Sequence, residues 1–184
     1  YNDRYLLTLA FRRDGCSRFG MNARWANFPS VSAGWIITEE EFMKQWENLN
    51  FLKLRASWGK VGNNNLGGGD YPSIASVSSN NYVYNGTVVP GRQLSSIANG
   101  DLTWETTESW DIGLDVGLFN DRIFFMYDYY RKTTDGLLYW IDIPYASGFS
   151  NILSNIGEFR FWGHELTLQT KNMVGKFKWS TDFN

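Results

Sequence analysis

Cysteine occurs once in this chain, at Cys16, and histidine once, at His164. An internal disulfide and a Cys-rich metal cluster are thereby excluded, a zinc site would have to be built almost wholly from carboxylates, and a Ser-His-Asp triad would depend on one imidazole. Charge of one sign is scarce too: 17 basic and 19 acidic side chains leave a net charge of −2, which offers no footprint for nucleic acid. No apolar run approaches the ~20 residues of a spanning helix, so a barrel is the only way this chain could cross a membrane. The chain starts at Tyr1 with no initiator Met, charged n-region or apolar h-region, and it stops at Asn184 inside an apparent strand. Both ends look cut.

Aromatic residues, by contrast, are abundant. They make up 17% of the 184 residues, with nine Trp and ten Tyr, in a chain that is 43% hydrophobic. Rings with a polar tip suit strands, glycan-binding surfaces and the headgroup layer of a membrane. Residues 110–118, WDIGLDVGL, show how they are used. Trp110, Ile112, Leu114, Val116 and Leu118 fall on one face of a strand, and Asp111, Gly113, Asp115 and Gly117 on the other. Such a wall, apolar on one side and small or acidic on the other, fits an outer-membrane barrel facing lipid, or a soluble carbohydrate-binding β-sandwich facing a second sheet.

Seven strands of this kind are expected. The first covers about Arg4 to Arg13, and the second, FPSVSAGWIIT, starts near Pro29, where a missing N–H is tolerated. The third is LKLRASWG at 52–59, whose basic face could balance Asp111 and Asp115. WDIGLDVGL and RIFFMYDYYRK form the fourth and fifth around a tight turn at Phe119, Asn120 and Asp121; the sixth spans about Asn155 to Thr170, and the last alternates Phe177, Trp179 and Phe183 with Lys178, Ser180 and Asp182. Between the second and third strands, Thr38 and Glu41 make a Thr-x-x-Glu capping box followed by Phe42, Trp46 and Leu49 at helical spacing, which predicts a short helix. Glu39, Glu40 and Glu41 then read as first-turn charges rather than an acidic site. From Gly62 to about Asp101, including three successive glycines at 67–69, and again from about Thr134 to Leu153, periodicity is lost and long loops are expected. Long connections therefore follow the first, third and fifth strands and short ones the second, fourth and sixth, giving one loop-rich rim and one trimmed rim. Trp58 and Trp110 lie towards the loop-rich rim and Trp35 towards the trimmed one, as aromatic girdles would.

Catalysis is not expected. Glu105, Asp111 and Asp115 share a strand face, but residues four apart along a strand are ~13 Å apart, beyond the ~5–9.5 Å of a glycosidase acid and base pair. No metal or organic cofactor is called for. Gly34, Gly59, Gly113, Gly117 and Gly157 read as structural, leaving room on the inner wall or easing twist, and Arg12, Arg13, Asp14, Arg18 and Arg24 as ion-pair or rim-loop anchors.

The blocks FRRDGCSRFG, RWANFPSVSAGW, LKLRASWGKVGNNN, DLTWETTESWDIGLDVGLFNDRIFFMYDYYRKTTDGLL and NIGEFRFWGHEL resemble, in the same order, the barrel region of SusC/RagA-like TonB-dependent outer-membrane transporters of Bacteroidota. The resemblance spans nearly the whole chain except about residues 70–97. It implies an all-β fold in which residues 1–184 are about seven antiparallel up-and-down strands of a large transmembrane β-barrel of about twenty-two strands, with plug domain and barrel closure absent. It further implies import of glycans, oligosaccharides or peptides across the cell outer membrane, with a SusD-like surface lipoprotein as lid and TonB engaged through the missing N-terminal part. In that topology the long loops meet substrate or lid, so Tyr71, Tyr82 and Tyr84, with Asn63, Asn64 and Asn65 at the loop base, are the candidate contacts: flat faces and amides suited to sugars and peptides.

Overall fold

The computed structural model describes residues 1–68 and 71–184; Gly69, the last of the three successive glycines, and Asp70 lie outside the described residues. In chain order the strands are β1 (Tyr5–Gly15), β2 (Trp25–Ile36), β3 (Leu49–Asn63), β4 (Val77–Ser79), β5 (Tyr82–Tyr84), β6 (Thr87–Val89), β7 (Arg92–Leu94), β8 (Glu105–Leu118), β9 (Ile123–Asp135), β10 (Leu138–Asp142), β11 (Asn151–Asn155), β12 (Glu158–Val174) and β13 (Lys178–Phe183). The sheet order β1-β2-β3-β8-β9-β12-β13 is an antiparallel meander whose seven members are the seven expected strands. The remaining six strands pair two by two inside the long loops. A sandwich would need a second sheet over the apolar face, and among the described residues none packs there.

Register makes the two faces continuous across the sheet. Tyr5, Trp35, Leu54, Leu114, Tyr127 and Leu166 stand opposite one another on consecutive strands, and so do Leu6, Gly34, Arg55, Gly113, Asp128 and Glu165 on the other face. Large apolar side chains on the first face, Leu7, Leu9, Phe11, Trp110, Ile112 and Leu166 among them, are exposed. A water-soluble sheet does not leave so wide a contiguous apolar surface uncovered.

Several expectations are revised. Strand β2 begins four residues before Pro29, which pairs with Phe11 of β1; the β2–β3 ladder stops at Ser30, so Pro29 stands just beyond it. The helix predicted after Thr38 does not form, and single 3₁₀ turns at Ile37–Glu39 and Glu41–Met43 replace it. The capping box has no free partners: the Thr38 hydroxyl accepts a hydrogen bond from the Leu52 N–H at 3.4 Å, and Lys44 donates to Glu41 at 2.7 Å. Phe42 and Trp46 remain exposed, so helical spacing here has no core to serve. The trimmed rim also holds the turn at Phe119, Asn120 and Asp121, all with φ near +55°. It is braced by Asn50, whose Oδ1 accepts from the Asn120 N–H at 2.6 Å.

The loops are more structured than their composition predicted. Strands β4–β7 build one excursion whose tip is Asn85-Gly86, with φ of +50° and +75° between the paired residues Tyr84 and Thr87. That is the Asn-Gly two-residue hairpin signal. Strands β10 and β11 form a second hairpin, and Gly157, with φ +80°, turns the chain into β12 rather than lining the wall. The buried core lies at this loop-rich rim, where Phe19, Leu66, Leu102 and Leu153 are almost wholly enclosed with Trp104 and Phe28 around them.

Candidate functional site

Three surfaces carry chemistry. On the polar face of the sheet, Arg55 donates to Asp115 from Nε at 3.0 and 3.1 Å and from Nη2 at 2.8 Å, and again from Nη2 to Asp128 at 2.8 Å. The expected balance of charge is thus met for Asp115 but not for Asp111, which makes no ion pair among the described residues, and Arg55 takes Asp128 as a partner that the sequence did not single out. Gly113 stands between Arg55 and Asp128 in the ladder, and a Cβ there would lie 2.7 Å from the guanidinium. Its missing side chain is the gap through which the ion pair reaches across β8. Asp115 is only 8% exposed, and Arg55 is the counter-charge beside it.

On the apolar face, each rim is closed by a carboxylate that gathers aromatic donors. Near the loops, Glu108 accepts from the indole N–H groups of Trp58 at 2.8 Å and Trp110 at 3.1 Å, whose rings lie 6.1 Å apart. Near the turns, Glu40 accepts from the Tyr5 hydroxyl at 2.6 Å and the Trp35 indole at 3.1 Å, with Arg4 at 3.1 Å. Hydrogen bonds from Tyr5 and Trp35, helped by the Arg4 charge, hold the Glu40 carboxyl below its ordinary pKa. Between these rims the outward side chains of β8 from Trp110 to Leu118 are uncharged. Eight steps at ~3.3 Å make a band of ~26 Å along the strand, or ~20 Å in height at a ~40° tilt, close to the ~25 Å apolar band of a membrane barrel.

The third surface is a groove of about 530 Å³ at the loop-rich rim, between the β4–β7 excursion and the β10–β11 hairpin. Tyr71, Trp140 and Phe149 supply rings to its lining, and Gln93, Ser96 and Asn151 supply amide and hydroxyl groups. Its walls are fixed. Asn99 Nδ2 donates to the Leu153 carbonyl at 2.9 Å. The Asn155 side chain accepts from the Thr103 N–H at 2.8 Å and donates to the carbonyls of Thr103 at 2.9 Å and Gly136 at 2.8 Å.

Of the predicted contacts, Tyr71 lines this groove, while Tyr82 and Tyr84 stand exposed on β5, away from its lining. The three asparagines do structural work at the loop base. Asn63 Nδ2 donates to Glu105 at 3.1 Å and its Oδ1 accepts from the Asn65 N–H at 2.9 Å; Asn65 Oδ1 accepts from the Gly67 N–H at 3.2 Å; the Asn64 carbonyl accepts from Arg18 at 2.9 Å. Arg18 is thus a loop staple, and Arg12 pairs with Asp14 at 2.9 Å. Glu105 spends its second oxygen on the Leu138 N–H at 3.1 Å, and Asp115 is held by Arg55. Trp140, Phe149, Gln93 and Asn151 were missed. The short apolar run Leu138-Tyr139-Trp140-Ile141 was the available signal for Trp140, hidden inside a stretch read as a loop.

Comparison with known proteins agrees with this geometry. The family described as TonB dependent receptor-like, beta-barrel matches residues 1–184. TonB-dependent receptor P39 of Formosa agariphila is 44% identical over all of this chain and 17% of its own length. TonB-dependent receptor SusC of Bacteroides thetaiotaomicron is 37% identical over 99% of this chain and 18% of its own. Among solved structures, the RagAB peptide importer in its open-open state superposes with a TM-score of 0.81 at 33% identity, covering 94% of this chain and 18% of that one. The chain thus spans less than a fifth of the length of these relatives, which are named as receptors and importers.

Proposed function

Since this chain belongs to the TonB-dependent receptor β-barrel family, we propose that it is a wall segment of an outer-membrane importer of glycans, oligosaccharides or peptides. In this reading residues 1–184 supply seven strands, their periplasmic turns and part of the outer loops, while plug and barrel closure come from elsewhere in the whole protein. A SusD-like surface lipoprotein covers the loop-rich rim, and TonB acts through the plug. The observation that carries the reading is the apolar face itself: an uncharged band of membrane height, closed at each rim by a carboxylate that takes two aromatic donors. The opposite face, with its Arg55, Asp115 and Asp128 cluster, suits a hydrated interior. Tyr82 and Tyr84, exposed on the hairpin, are proposed as lid contacts, and Tyr71, with Asn63, Asn64 and Asn65 near the loop base, as contacts for substrate or lid.

The test is fractionation of cells expressing the complete gene, followed by electrophoresis of the outer-membrane fraction with and without heating. A heat-modifiable barrel in that fraction is expected. A soluble product would overturn the membrane assignment.

A further inference from the structure

We infer that the groove between the β4–β7 excursion and the β10–β11 hairpin is a binding subsite for an uncharged oligosaccharide. The inference rests on the importer reading and narrows its substrate class. The described side chains that line the groove include no Asp, Glu, Lys or Arg, although charged residues make up 20% of the chain. A ligand carrying sulfate, uronate or charged peptide groups would meet no counter-charge among the described lining side chains, so whatever water it gave up there would go uncompensated.

The groups that are present match a sugar ring. A pyranose has a flat C–H face and a rim of hydroxyls; Trp140, 41% exposed, and Tyr71, 50% exposed, offer ring surface for the first. Gln93 and Asn151 offer amides, and Ser96 and Ser150 hydroxyls, for the second. Gln93 Oε1 already accepts from Asn80 at 2.6 Å and Ser96 Oγ from the Ser76 N–H at 2.9 Å, which orients the Gln93 amide N–H groups and the Ser96 O–H as donors to sugar oxygens. The volume of about 530 Å³ falls within the roughly 300–1,000 Å³ of small-ligand sites. Preorganisation favours binding further, because Asn99 and Asn155 pin the loops on which the groove is built, so little ordering remains to be done when the ligand arrives.

The test uses the full-length protein in detergent, screened against immobilised neutral oligosaccharides, sulfated and uronate oligosaccharides, and peptides of both charge signs. Binding to at least one neutral oligosaccharide is expected, weakened about tenfold by Trp140→Ala and less by Trp140→Phe, which keeps a ring. Gln93→Glu should also weaken it without loss of heat-modifiability. Binding confined to peptides or charged sugars, no binding across the panel, or neutral-sugar binding that both Trp140→Ala and Tyr71→Ala leave unchanged would each overturn the subsite. A protein that reaches the outer membrane as a heat-modifiable barrel yet gives one of these results fails the subsite alone; one that never reaches the membrane fails the importer reading.

Discussion

Replacing Leu114 by Arg probes the depth of the apolar band directly. Leu114 lies four residues from Trp110 and four from Leu118, so it is the midpoint of the uncharged stretch of β8. Four steps of ~3.3 Å put it ~13 Å along the strand, or ~10 Å in height, from either border. Its neighbours across the ladder, Leu54 and Tyr127, offer no carboxylate to pair with a guanidinium. An arginine at the mid-plane of a barrel's lipid face costs ~2–4 kcal/mol, against ~0–1 near the interface. Thr106→Arg, on the same face of β8 but at the loop-rich end, is therefore the matched control. The difference, about 1–4 kcal/mol, corresponds to a drop of roughly 5- to 700-fold in the assembled-to-unassembled ratio, since 1.4 kcal/mol is tenfold. The assay is the heat-modifiable, protease-resistant fraction of the full-length protein in outer membranes, titrated with urea. Equal resistance of the two variants would refute the assignment of this face to lipid.

Other outcomes follow from the same geometry. Arg55→Met strands two carboxylates on the polar face and should cost about 1–3 kcal/mol by urea titration; Gly113→Val fills the gap beside the guanidinium, so the double variant should cost less than the sum of the two. The Glu40 carboxyl is held below its ordinary pKa when folded, so its contribution to stability is complete above the unfolded value of ~4.3 and is lost as pH falls through the folded value. Glu40→Gln should flatten that acid limb in a series of urea titrations from pH 6 to pH 3. Gly86→Val puts a β-branched residue at φ +75° and should loosen the hairpin tip by about 1–2 kcal/mol; limited proteolysis should then cut between β5 and β6 while barrel assembly is unchanged.

Much of the wall was legible without coordinates. A strand shows its two faces in sequence because side chains alternate with period two, so Trp110 to Leu118 and Leu52 to Gly59 declare both their conformation and their facing. The loops were less so. Asn85-Gly86 carried a hairpin signal, but the three-residue strands around it were too short to show periodicity. The capping box at Thr38 and Glu41 failed for the converse reason: its local preference was real, but β3 and Lys44 claimed the groups it needed.

The sequence alone therefore determined the seven strands of the wall, the two faces, the unequal rims and the family, because each depends on order and spacing along one chain. Only the tertiary structure decided which residues meet across it. Arg55 finds Asp128, seventy-three positions away, through the space left by Gly113, and Tyr71 joins Trp140 in one groove while Tyr82 and Tyr84 stand outside its lining. Those encounters depend on register between strands and on the path of the loops, which local spacing does not encode.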